Sequence, residues 1–109
     1  MVRSLVAIFG GVLLLSVTGL AASPEKGQQV FAAQKCSMCH SVAGKGNPKG
    51  PLDGVGTKYK PAELRQWIVN AADMAAKHKA TRTPAMKDFS KLPAADVDAL
   101  VDYLSTLKK

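Results

Sequence analysis

Cys36, Cys39 and His40 are the residues of this chain whose types and spacing could do chemistry together. In Cys36-Ser37-Met38-Cys39-His40 two thiols stand three positions apart and an imidazole follows directly. Residues i, i+3 and i+4 of one helical turn share a face, so all three groups could address one flat object. That spacing is the one that attaches a c-type haem. The thiols would add across the vinyl groups as thioethers, leaving His40 beneath the iron as proximal ligand. Other uses of the pair fit less well. A zinc site wants four ligands, and beyond the motif only His78 remains. A thioredoxin-like dithiol calls for βαβ patterning, which is not visible here. An ordinary disulfide is the remaining alternative.

A haem held by one imidazole has a sixth site to fill, for which the chain offers Met38, Met74, Met86 and His78. Met38 sits inside the attachment motif, on the proximal side, and cannot reach round the ring. His78 lies between two lysines, which favours exposure, and Met74 reads as a packing residue on an alanine-rich segment. Met86 follows an extended Thr83-Pro84-Ala85 approach in which proline stiffens the backbone, and it is the expected ligand. A thioether there favours reduced iron and raises the potential. A ligating imidazole also gives its free N–H to an acceptor that orients it. The Pro51 carbonyl, in the Gly-, Pro- and Lys-rich stretch 41–57, is the candidate, with a plain turn proline as the alternative.

These groups need elements to carry them. Residues 1–22 open with Arg3, continue as an apolar run from Leu5 to Leu20 and end in small residues, the form of a secretory signal. Cleavage near Ala22 leaves 23–109 as the folded domain. Retention as a membrane anchor is the alternative, because the run is close to the roughly 18 residues that begin to span a bilayer. Export agrees with the motif, since thiols outside the cytoplasm oxidise unless something captures them.

A first helix is predicted from Ser23 into the haem motif, with Ser23 as cap, Pro24 at the first helical position and Glu25 at the positive end. Gly27 and Phe31 share a face, and glycine inside a helix marks a place where another helix comes close. Residues 41–57 read as loop. A second helix is predicted over 59–70, opened by Pro61, with Leu64, Trp67 and Ile68 on one face and Trp67 turned to the haem pocket. Residues 71–80 suggest a further short helix. The clearest helix is 94–107, where Val97, Leu100, Val101, Leu104 and Leu107 form an apolar stripe that needs a surface such as Gly27 and Phe31.

Composition supports a cofactor-centred core. After loss of the leader only Phe31, Tyr59, Trp67, Phe89 and Tyr103 remain as aromatics, and small domains of this kind need a staple or a cofactor. The 109-residue chain carries 15 Lys and Arg against 8 Asp and Glu, a net charge of +7. The lysines are spread rather than bunched, which disfavours a nucleic-acid tail and suits either docking on an acidic redox partner or a plain solubilising surface.

Taken in order, Gly27 and Phe31, Cys36 to His40, Gly50-Pro51-Leu52, Trp67, Met86 and the Leu100-Val101-Asp102-Tyr103-Leu104 helix resemble a small monohaem class I c-type cytochrome. The resemblance spans 23–109. It implies an all-α class I cytochrome c fold, with three to four short helices around one covalently bound haem c and the terminal helices crossing. It also implies His40 and Met86 as axial ligands and the Pro51 carbonyl on His40. The function expected is that of a monomeric periplasmic electron carrier, not an enzyme, exchanging one electron between redox proteins with acidic docking surfaces and binding no nucleic acid. The alternatives are a haem enzyme or ligand sensor with a displaceable sixth ligand, or a membrane-tethered electron-transfer domain if 1–22 is kept.

Overall fold

The computed structural model describes residues 10–11 and 24–109. The expected leader therefore lies outside the described residues apart from Gly10 and Gly11, as does the expected cap Ser23. Five α-helices and a two-stranded sheet make up the described domain: α1 Pro24–Ala33, β1 Ser41–Val42, β2 Lys45–Gly46, α2 Val55–Lys58, α3 Pro61–Val69, α4 Ala71–Lys77 and α5 Ala94–Ser105. The fold is mostly helical, as expected, with the first and last helices crossing.

At that crossing Gly27 is buried in α1, and a Cβ placed on it would collide with the Ala99 carbonyl and the Tyr103 Cβ of α5. The glycine is there because the two backbones touch. Val30 lies buried one turn on, and Phe31 meets Tyr103 edge-on at 5.7 Å, a favoured aromatic geometry. On the other flank of α5, Leu64 and Ile68 of α3 pack into one cluster with Val97, Leu100, Val101 and Leu104. Arg65 and Asp98 pair across the two helices. Burying each aliphatic side chain contributes roughly 1.5–3 kcal/mol.

Several elements differ from the sequence reading. The first helix does not run into the haem motif: Lys35 takes a left-handed conformation at φ 56°, and Cys36–Met38 then form a separate 3₁₀ turn. The stretch expected as loop contains a hairpin and a helix. Ala43 and Gly44 both have positive φ, 51° and 81°, which is what a two-residue type I′ hairpin turn requires. Helix α2 forms where the chain meets the end of α5. A Cβ on Gly56 would collide with the Ser105 carbonyl, and Gly56 N–H donates to the Leu107 carbonyl at 3.0 Å. Helix α3 starts two residues later than expected because Lys60, which precedes Pro61, is held extended at ψ 156°. The Glu63 carboxylate accepts from Lys60 N–H at 3.1 Å and helps close that end.

Residues 78–93 carry no helix or strand, and their order comes from two anchors at the α3–α4 corner. Asp88 Oδ1 accepts from Ala71 N–H at 2.7 Å, capping α4 from a distance in sequence. Phe89 N–H donates to the Ile68 carbonyl at 2.9 Å. Two outcomes follow for the haem-loaded protein in urea denaturation. Gly27→Ala should lower stability by about 1–3 kcal/mol, because the helices must separate to admit one methyl group. Asp88→Ala should cost about 0.5–2 kcal/mol through the lost cap.

Candidate functional site

The reversal at Lys35 and the 3₁₀ turn after it set the geometry of the cysteines. His40 N–H donates to the Cys36 carbonyl at 2.9 Å and Cys39 N–H to the same oxygen at 3.2 Å, so the pentapeptide closes as one turn. Cys36 is half-buried and Cys39 exposed, and neither forms a disulfide. Burial pushes the Cys36 thiol up from its usual range, opposed in part by a backbone hydrogen bond and by the charge of Lys87. Both cysteines are thus free thiols on one turn, the state from which thioethers form.

Beneath the turn a second loop holds the imidazole. Asn47 N–H reaches both the Ser37 and the His40 carbonyls, at 3.0 and 3.1 Å, and its side-chain amide donates to the Met38 carbonyl at 3.0 Å. Gly46 permits this approach: its φ is 108°, and a Cβ there would collide with the His40 carbonyl. His40 Nδ1 then lies 3.1 Å from the Gly50 carbonyl. A carbonyl can only accept, so Nδ1 carries the proton and the Nε2 lone pair is left for a metal. Burial holds the imidazole below its usual range, the Gly50 bond raises it and the Arg82 charge lowers it.

The acceptor is the Gly50 carbonyl, one residue before the expected Pro51. The reason is the short parallel bridge between Ser41 and Pro51. Ser41 N–H donates to Gly50 at 3.0 Å and Leu52 N–H donates back to Ser41 at 2.8 Å. Neighbouring carbonyls of an extended chain alternate in direction, so fixing Gly50 toward residues 40 and 41 leaves Pro51 as the residue that shapes the bridge.

The remaining methionines separate cleanly. Met38 is 69% exposed, Met74 is buried within α4, and Met86 is half-buried on the non-helical segment. Before Met86 that segment packs on the loop beside the haem motif, and after it a charge acts on the motif. Before it, the Arg82 guanidinium covers Gly50, where a Cβ would collide with it and with the Cys39 carbonyl. After it, the Lys87 charge is felt at Cys36. Neither Arg82 nor Asp88 stood out in the sequence. The one available signal was that both flank the candidate methionine within four residues.

The residues present fit a covalently held haem. Trp67 Nε1 is buried with no hydrogen-bond partner among the described residues, a donor able to meet an acceptor that the polypeptide does not supply, such as a haem carboxylate. Its indole packs against Tyr59 at 6.1 Å and against the exposed His78 at 5.4 Å. These three rings share the wall of a cleft of about 600 Å³ with Lys58, Glu63 and Ala80, and Ala80 is two residues from Arg82. Among the described residues complete burial is reached by small side chains such as Ala71 and Ala99, a core thin enough to need a large apolar group beside it.

Comparison with known proteins agrees with this fold. A chain in the crystal structure of SoxXA from P. pantotrophus is similar, with a TM-score of 0.61 and 26% identity, covering 86% of this chain and 88% of that one. No curated protein matches the chain. The family model described as Cytochrome c matches residues 24–108, from the first turn of α1 through the attachment motif to the end of α5. The chain belongs to the cytochrome c family, whose covalent haem c serves electron transfer and whose attachment motif the Cys36, Cys39 and His40 turn supplies.

Proposed function

We propose that the protein is a periplasmic electron carrier whose haem iron has His40 and Met86 as axial ligands. The bracketing of Met86 carries this reading: Arg82 packs on Gly50, the Lys87 charge reaches Cys36, and Asp88 and Phe89 tie the following residues to the α3–α4 corner. A thioether fixed between two anchored points holds one position without a helix to carry it. The haem supplies the one-electron chemistry, its iron passing between ferrous and ferric. The chain holds the imidazole in its Nδ1–H tautomer through Gly50 and keeps it neutral by burial.

Export is supported by the leader-like residues 1–22, and among the described residues no helix is long and apolar enough to cross a membrane. The partner is a redox protein with an acidic surface. Support comes from the distribution of charge: residues 26–52 contain four lysines and no acid, and residues 74–87 contain three lysines, one arginine and no acid. These two stretches contain the attachment motif and Met86. Opposite charge on a partner would steer encounter there without adding much to affinity.

The test is spectroscopic. The dithionite-reduced protein should show sharp low-spin c-type bands that do not change under carbon monoxide. Met86→Ala should bind carbon monoxide, lose the low-spin signature and fall in potential. A wild-type protein that binds carbon monoxide readily would defeat Met86 as a fixed ligand and favour the sensor or enzyme reading. The electron-transfer rate with an acidic acceptor protein should drop about tenfold or more between low and high salt. A rate indifferent to salt would remove the steering.

A further inference from the structure

Gly50 has no conformational need to be glycine. Its φ lies outside the left-handed range, unlike Gly44, Gly46 and Gly54. It is nevertheless buried, and the atoms that a Cβ would strike are the Arg82 guanidinium and the Cys39 carbonyl. The missing side chain makes room for Arg82. The same residue gives its carbonyl to His40 Nδ1 and to Ser41 N–H. Arg82 therefore rests on the peptide that orients the imidazole, while its own backbone lies four residues before Met86.

We propose that Arg82 is a positioning residue that ties the Met86 segment to the His40 loop and, through its fixed charge, favours the ferrous over the ferric state. The inference rests on His40 as the iron's ligand. A guanidinium keeps its proton at every accessible pH, so the charge is constant. Among the described residues no carboxylate forms an ion pair with it, and the nearest acids along the chain, Asp73 and Asp88, lie outside the stretch 74–87. Asp88 is engaged with Ala71 N–H. The charge of Arg82 is felt at His40, where it opposes the gain of a further positive charge. Oxidation of the iron adds one positive charge to the site, and a cation packed nearby opposes that addition. Because Arg82 is solvent-exposed the effect is screened and amounts to a few-fold in the ferric-to-ferrous ratio.

The test is a redox titration of the haem-loaded wild type, Arg82→Gln, Arg82→Met and Arg82→Lys, each also checked for a low-spin spectrum under carbon monoxide. Both neutral variants should raise the ferric-to-ferrous ratio a few-fold at any fixed ambient potential, more at low salt than at high, while Arg82→Lys stays close to wild type. A midpoint unmoved in both neutral variants would overturn the proposal, even if their stability to urea fell. A lysine variant that tracked the neutral ones would overturn it equally, since charge would then not be the cause. The carbon monoxide spectrum of the wild type reports separately on Met86, so failure of that ligand is told apart from failure of the charge effect.

Discussion

An imidazole can offer Nε2 to a metal only while the proton sits on Nδ1, and in this chain one hydrogen bond, from His40 Nδ1 to the Gly50 carbonyl at 3.1 Å, imposes that condition. Much of the loop structure between the motif and α2 serves to keep that carbonyl where it is. The Ser41–Pro51 bridge fixes it from one side. Asn47, bonded to Ser37, Met38 and His40, fixes the motif from the other. Lys49 N–H on the Asn47 side chain and Gly50 N–H on the Asn47 carbonyl close the turn between them. Loss of any of these would free the ring to change tautomer or orientation. The hairpin that sequence patterning did not anticipate belongs to the same device, because its turn brings Ala43 N–H onto the Asp53 carboxylate and draws the two ends of the loop together.

Two scaffolds meet at the site, and each rests on close backbone contact. The α1–α5 crossing at Gly27 fixes where α1 ends, and so where Lys35 turns the chain to present the cysteines. The α3–α4 corner fixes residues 86–89 through Asp88 and Phe89. Helix α5 is common to both, with α1 on one flank and α3 on the other. The haem motif and Met86 are thereby referred to a single rigid element, although the segment bearing Met86 has no regular structure of its own. For an electron carrier this matters because ligands that keep their places on a change of charge leave little to reorganise.

Legibility in the sequence followed the range of the interactions. The attachment motif, the Gly27 crossing and the stripe of α5 could be read because they depend on local spacing: thiols three positions apart, Gly27 and Phe31 four positions apart, and a helical repeat from Val97 to Leu104. The helix boundaries were less clear. The left-handed Lys35 has no glycine or asparagine to announce it. The acceptor for His40 was placed in the right loop but one residue late, because the Ser41–Pro51 bridge that sets carbonyl direction joins residues ten apart. Asp88 and Arg82 could not be read at all. Their partners, Ala71 and Gly50, lie 17 and 32 positions away, and nothing in the type of either residue separates such a role from ordinary surface charge.

The positive charge of this protein acts in two ways that obey different physics. Lysines spread over 26–52 and 77–87 shape a field that extends into solvent, and in the proposed role its work is done before contact, on the rate at which an acidic partner would arrive. Salt of physiological strength shortens the reach of that field to about 8 Å, so its influence belongs to kinetics and to conditions. Arg82 differs because packing fixes its distance to the site. A side chain at position 50 would expel it. A charge fixed by contact changes an equilibrium rather than an encounter, since it is present equally before, during and after the partner binds. The glycine at 50 therefore links backbone to the proposed function: by omitting a side chain it admits a cation to the peptide that orients His40.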